Sequence, residues 1–132
     1  MRKEIKVKLE DAQTLAKKLA SRLKGGEILA LTGPLGSGKT TFTKALAKSL
    51  RVKDHVTSPT FVLMHQYPGS INRQSIHIYH LDLYRTKGLR EVKALGITEI
   101  WGQPKTVTVI EWAEKISKIL PRHSLRIKFS HQ

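Results

Sequence analysis

Short apolar, β-branched runs alternate along this chain with segments whose apolar residues recur every three or four positions. That alternation of periods predicts strands interleaved with helices. Ile5, Val7 and Leu9 are separated by charged residues, as in a strand with one wet face. Asp11 is placed to cap a helix carrying Leu15, Leu19 and Leu23, which Gly25-Gly26 ends. Residues 27–32 (EILALT) form a short buried strand, and residues 41–50 a helix with Phe42, Leu46 and Leu50 on one face. A loop from Thr57, with Pro59 near its start, enters a strand that reaches Tyr67. Pro68-Gly69-Ser70 reads as a turn, with Asn72-Arg73-Gln74 extending the same loop. An apolar-rich strand over 75–83 and a short helix over 89–95 follow. The β-branched run 106–110 (TVTVI) is a strand, 113–120 a helix stopped by Pro121, and 125–129 an alternating final strand.

Strands outnumber helices after residue 50, and a hairpin is expected around Pro68-Gly69. The fold class that follows is α/β, a three-layer sandwich whose mixed sheet is mostly parallel with an antiparallel edge. With neither repeats nor a linker, 132 residues suit one domain, 1–132.

Composition narrows the picture in three ways. No apolar run approaches the roughly 20 residues of a membrane helix. The start of the chain has no secretory apolar segment, and there are no cysteines, so neither disulfides nor thiolate metal sites are expected. A cytoplasmic location is the expectation. The 24 Lys and Arg against 10 Asp and Glu leave a formal net charge of +14, which points to a polyanionic partner such as RNA, or to a generally cationic surface.

The chemistry is concentrated in Gly33-Pro34-Leu35-Gly36-Ser37-Gly38-Lys39-Thr40, a complete Walker A sequence between a predicted strand and a predicted helix. In such a P-loop, glycines let backbone N–H groups face phosphate oxygens, and the following helix adds its positive end. The lysine reaches the β- and γ-phosphates, and the hydroxyl of Thr40 is offered to Mg²⁺.

Two acids at strand ends complete the candidate set. Glu111 directly follows the 106–110 strand and can bind Mg²⁺ through water or serve as a base, and Asp82 lies near the end of the 75–83 strand. For either, the plain alternative is a helix cap or a surface ion pair. Thr57-Ser58-Pro59-Thr60 is open between a loop that senses Mg²⁺ and the γ-phosphate and a simple hydroxyl turn. Trp112 is open between the core and the nucleotide, with the core as the default. His77 and His80 lie three apart on one strand and therefore point to opposite faces, which argues against joint metal ligation.

Taken in order, the Walker A run with Thr41-Phe42, then Ser58-Pro59-Thr60-Phe61, His80-Leu81-Asp82-Leu83-Tyr84-Arg85 and Ile110-Glu111-Trp112 resemble the TsaE family, small P-loop ATPases of bacterial tRNA threonylcarbamoyladenosine synthesis. The resemblance implies a P-loop NTPase-like fold. It also implies ATP or ADP binding with Mg²⁺ and weak hydrolysis that regulates two partner proteins, TsaD and TsaB, with tRNA met directly or through their complex. It assigns Lys39 and Thr40 to phosphate and Mg²⁺, Thr60 to a switch-like loop, Asp82 to a second acidic motif and Glu111 to the essential acid, with Trp112 near the nucleotide. The candidate catalytic residues are thus Lys39, Thr60, Asp82 and Glu111. Nucleotide contacts come from Gly36, Ser37, Gly38, Lys39, Thr40, Thr41 and Trp112, and metal contacts from Thr40, Asp82 and Glu111. Pro34 stands where the family usually has an acid, Ser37 replaces a common alanine, and residues 96–105 match loosely. No N-K-x-D guanine-reading motif is present, which favours ATP over GTP. A small-molecule kinase using Glu111 or Asp82 as base, and a basic RNA-binding module with a structural nucleotide, are the competing readings.

Overall fold

The computed structural model describes residues 3–54, 56, 64–86 and 89–131. Its six strands are β1 (Lys3–Lys8), β2 (Ile28–Thr32), β3 (Met64–Ile71), β4 (Gln74–Asp82), β5 (Thr106–Glu111) and β6 (Leu125–Ser130). Its helices are α1 (Ala12–Ala20), α2 (Lys39–Ser49), α3 (Leu89–Ala94) and α4 (Ile97–Ile100). The strands form one sheet in the order β1-β6-β2-β5-β4-β3, with every neighbouring pair parallel except β3 with β4. The expected α/β class and antiparallel edge are present.

The three layers follow from strand parity. Leu29, Leu31, Val107, Val109, Ile127 and Phe129 pack in one cluster with the inner faces of α1 and α2. Their chain neighbours Ile28, Ala30 and Ile110 face the other way, onto α3, α4 and the 113–116 turn. All six residues of β5 are buried, because a central parallel strand is covered on both faces. Among the described residues, no helix is long and apolar enough to cross a membrane.

Four local expectations are corrected. Asp11 makes no side-chain capping bond; a 3-10 turn at Leu9–Asp11 leads into α1, closed by the Ala12 N–H on the Leu9 carbonyl. Helix α1 ends at Ala20, before Gly25-Gly26, in a turn where the Ser21 hydroxyl donates to the Lys18 carbonyl at 2.7 Å. The hairpin exists, but its turn is Asn72-Arg73, both left-handed at φ 50° and 68°, as a two-residue type I′ turn requires. Pro68-Gly69-Ser70 lies inside β3, which tolerates proline because it is the sheet edge. Gly69 is needed there: a Cβ would sit 2.7 Å from the Leu50 carbonyl oxygen, which accepts the Ser70 N–H at 2.7 Å. Finally, the 113–120 helix shrinks to a 3-10 turn at Ala113–Ile116, entered through a left-handed Trp112 at φ 62°. The turns there close three residues back, Lys115 N–H on the Trp112 carbonyl at 3.2 Å and Ile119 N–H on the Ile116 carbonyl at 3.0 Å, which is the tighter 3-10 pattern that seldom runs beyond a few residues.

Candidate functional site

The parallel register places the key residues on one level. Glu111 pairs with Leu31 of β2 on one side and with Asp82 of β4 on the other. Both carboxylates therefore stand at the carboxyl ends of adjacent strands, beside the loop that leaves β2. That is where open α/β sheets bind ligands. Parity puts His80, Asp82 and Glu111 on the α2 side of the sheet, because they share faces with Ile76, Ile78, Val107 and Val109.

The glycine-rich loop is shaped by close approach. At Gly33 φ is 134°, and a Cβ would lie 2.5 Å from the Phe129 carbonyl oxygen, so only glycine lets the loop leave β2 against β6. The Ser37 hydroxyl donates to the Pro34 carbonyl at 2.6 Å and closes the loop on itself. Pro34 is exposed and contributes its carbonyl, so the missing N–H disturbs nothing inside.

Lys39 begins α2 and is 5 % exposed. Its ammonium donates to the Gly33 carbonyl and, at 2.9 Å, to the Pro34 carbonyl, and it lies 3.9 Å from the centre of the Trp112 ring. Burial lowers its pKa, opposed by the charges of Glu114, Glu111 and Asp82. Thr40 donates its hydroxyl to Glu111 Oε1 at 3.0 Å. The other carboxylate oxygen of Glu111 accepts from His80 Nε2 at 2.6 Å, and both residues are buried. A carboxylate acceptor selects the tautomer with its proton on Nε2. Asp82 accepts the Tyr84 N–H at 3.0 Å. Its pKa is raised by burial first, against that backbone bond, with Glu111 raising it further and His80 and Lys39 lowering it.

Trp112 lines the site and also packs against the core cluster on the other face of the sheet. Half-buried, it packs on Tyr84 with ring centres 5.0 Å apart and joins Asp82, Glu111, Lys39 and Thr40 around a cavity of about 230 Å³. Its left-handed backbone turns the indole back over the loop; for a bulky side chain that conformation is an outlier of the kind that collects at functional sites. Lys115 donates to the carbonyls of Tyr84 and Thr86, tying the segment after β4 to the turn after β5.

Of the candidates, Gly36, Gly38, Lys39, Thr40, Thr41, Asp82, Glu111 and Trp112 line this one cavity. Ser37 sits in the loop but points back onto it. Thr60, with Ser58 and Thr57, lies outside the described residues. Sequence reasoning passed over His80, although parity offered a signal: it stands two positions before Asp82 and shares its face. Tyr84 and Glu114 were also missed. Glu114 accepts the Gly33 N–H at 3.4 Å, a contact across 81 positions that no local pattern announces.

Among the described residues no three metal-ligating side chains enclose a cation by themselves. One hydroxyl and two carboxylates facing an open cavity suit Mg²⁺, which keeps several waters and shares its shell with substrate phosphates.

The family model for the threonylcarbamoyl adenosine biosynthesis protein TsaE matches residues 7–132. The tRNA threonylcarbamoyladenosine biosynthesis protein TsaE of Bacillus subtilis is 37% identical over 118 residues, 89% of this chain and 70% of that protein. The protein of the same name from Aquifex aeolicus is 39% identical over 108 residues, 80% and 72% respectively. The crystal structure of YdiB from Bacillus subtilis superposes with a TM-score of 0.65 at 34% identity, covering 92% of this chain and 71% of that one. The family model spans nearly the whole chain and these relatives are 37% and 39% identical over most of it, and the chain belongs to the TsaE family of tRNA threonylcarbamoyladenosine biosynthesis proteins.

Proposed function

We propose that this chain is a Mg²⁺-dependent ATPase that hydrolyses ATP slowly by itself and acts as a nucleotide-dependent partner and regulator of a TsaD–TsaB complex in the modification of tRNA. The observation that carries the reading is the convergence of Lys39, Thr40, Asp82 and Glu111 on one cavity at the strand ends, with Glu111 already bonded to the Thr40 hydroxyl. In this reading the loop N–H groups and the start of α2 bind the phosphates. Lys39 leaves the Gly33 and Pro34 carbonyls for the β- and γ-phosphate oxygens, which replace carbonyl dipoles with full negative charges. Thr40, Glu111 and Asp82 would hold Mg²⁺, which supplies neutralisation of phosphate charge when bound. Glu111, fixed by His80, orients the water whose oxygen attacks the γ-phosphorus as the bond to the β–γ bridging oxygen breaks. Most of the rate comes from positioning and preset charge, as is general for phosphoryl transfer.

The test is ATP turnover by the purified chain, alone and with TsaD, TsaB and tRNA. Slow turnover alone, strong stimulation by the partners and loss of both in Lys39→Ala are expected. A rate indifferent to the partners would overturn the regulatory role, and phosphate transfer to a metabolite in place of water would make the chain a small-molecule kinase.

A further inference from the structure

Along α1 and α2, two adjoining hollows of about 760 and 690 Å³ share Lys17, Ser49 and Arg51 and form one groove. It runs from Thr41, beside the glycine-rich loop, between α1 and α2 to the β3–β4 turn. Lys17, Lys44, Lys48, Arg51 and Arg73 line it from three separate elements, and no acid does. All five are exposed, and among the described residues none has a carboxylate within salt-bridge distance; the pair there is His80–Glu111.

Two of these cations stand where glycine fits better. Arg51 follows the end of α2 in a Schellman cap, its N–H on the Lys48 carbonyl at 3.1 Å and the Val52 N–H on Ala47 at 3.0 Å. That position is left-handed, here at φ 67°, and is ordinarily glycine. Arg73 is the second residue of the type I′ turn at φ 68°, again the position where glycine follows asparagine. Two independent motifs thus carry an arginine in an unfavourable conformation, and both arginines open into the same groove.

We propose that this α1–α2 groove binds the sugar–phosphate backbone of RNA. The proposal rests on the tRNA-directed reading above. Phosphate recognition needs cations rather than base-reading groups, and the groove supplies unpaired cations along its length.

The experiment uses Arg51→Gly/Arg73→Gly, which removes both charges while giving each turn its preferred residue, so folding is preserved or improved. Lys118→Gln/Arg122→Gln, on the segment that packs against the other face of the sheet, removes equal charge. Anisotropy with an unmodified tRNA transcript is read across KCl concentrations, beside partner-stimulated ATP hydrolysis. The glycine pair is expected to weaken RNA binding by about tenfold or more and to flatten the salt dependence by about 1–2 phosphate contacts, with Tm unchanged or raised. The glutamine pair stays within about twofold of the parent. Equal losses in both variants, or none in the glycine pair, overturn the groove. Intact RNA affinity with lost partner stimulation overturns it too, and gives the groove to an acidic protein surface. RNA binding through the groove by a chain that never hydrolyses ATP would instead sink the ATPase reading and leave this one standing.

Discussion

Replacing Glu111 separates its structural work from its chemical work. The carboxylate is 2 % exposed and holds His80 Nε2 at 2.6 Å and the Thr40 hydroxyl at 3.0 Å. His80 is fully buried, and its Nδ1 has no partner among the described residues. Glu111→Ala would therefore leave the imidazole with neither nitrogen satisfied. An orphaned buried donor costs about 1–3 kcal/mol. Thr40 faces the open cavity, where water replaces its lost bond, so it adds little. At about 3–4 °C per kcal/mol for a chain of this size, Tm should fall by roughly 3–12 °C. Glu111→Gln keeps an acceptor oxygen for His80 and an amide that can donate to the Thr40 hydroxyl, so its stability should stay within about 1 kcal/mol of the parent. Its charge is gone, however, and ATP turnover should fall by about 100-fold or more, the scale of a lost charged group in a preset site. Thermal melts and turnover on both variants decide the matter. An unshifted melt for Glu111→Ala would refute the buried-pair argument, and parental turnover in Glu111→Gln would remove Glu111 from the chemistry.

Three further outcomes are expected. Asp82 keeps its proton to higher pH in the fold than in the unfolded chain, so it weakens the fold as pH rises above 3.8. Asp82→Asn, which retains an acceptor for the Tyr84 N–H, should melt higher than the parent at pH 7 and equally below 3.8; a constant difference across pH would contradict this. Gly69→Ala would drive a Cβ to within 2.7 Å of the Leu50 carbonyl and should cost about 1–3 kcal/mol in urea unfolding, and an unchanged midpoint would show that β3 and the end of α2 separate freely. Trp112 stacks over Lys39, so in a Trp101→Phe background ATP should change its fluorescence as the lysine moves to phosphate; a silent titration with bound nucleotide would mean that the lysine stays on the indole.

How much was legible in the sequence depended on the range of the forces involved. Strands β2, β4, β5 and β6 and helix α2 were found within a residue or two, because burial stamps its period on the residues that carry it. The Walker A run was legible because the turn needs glycines at fixed offsets. Local cues failed where a neighbour overruled them. Pro68-Gly69 looks like a turn, yet an edge strand needs no N–H from Pro68, and Gly69 is there to admit the Leu50 carbonyl. The 113–120 segment has a helical period, yet its turns close three residues back, and it enters from the strand through a left-handed Trp112 whose ring lies against the Lys39 ammonium.

By itself the sequence determined the alternation of elements, the glycine-rich loop and the two acids at strand ends, since each depends on residues within a few positions of one another. Only the tertiary structure decided that Leu31, Glu111 and Asp82 share a level, that Glu111 is clasped by His80 and Thr40, and that five cations from separate elements line one groove. Those relations depend on strand order and register, which are set when distant segments bury their apolar faces against each other and leave no mark on the local pattern of either.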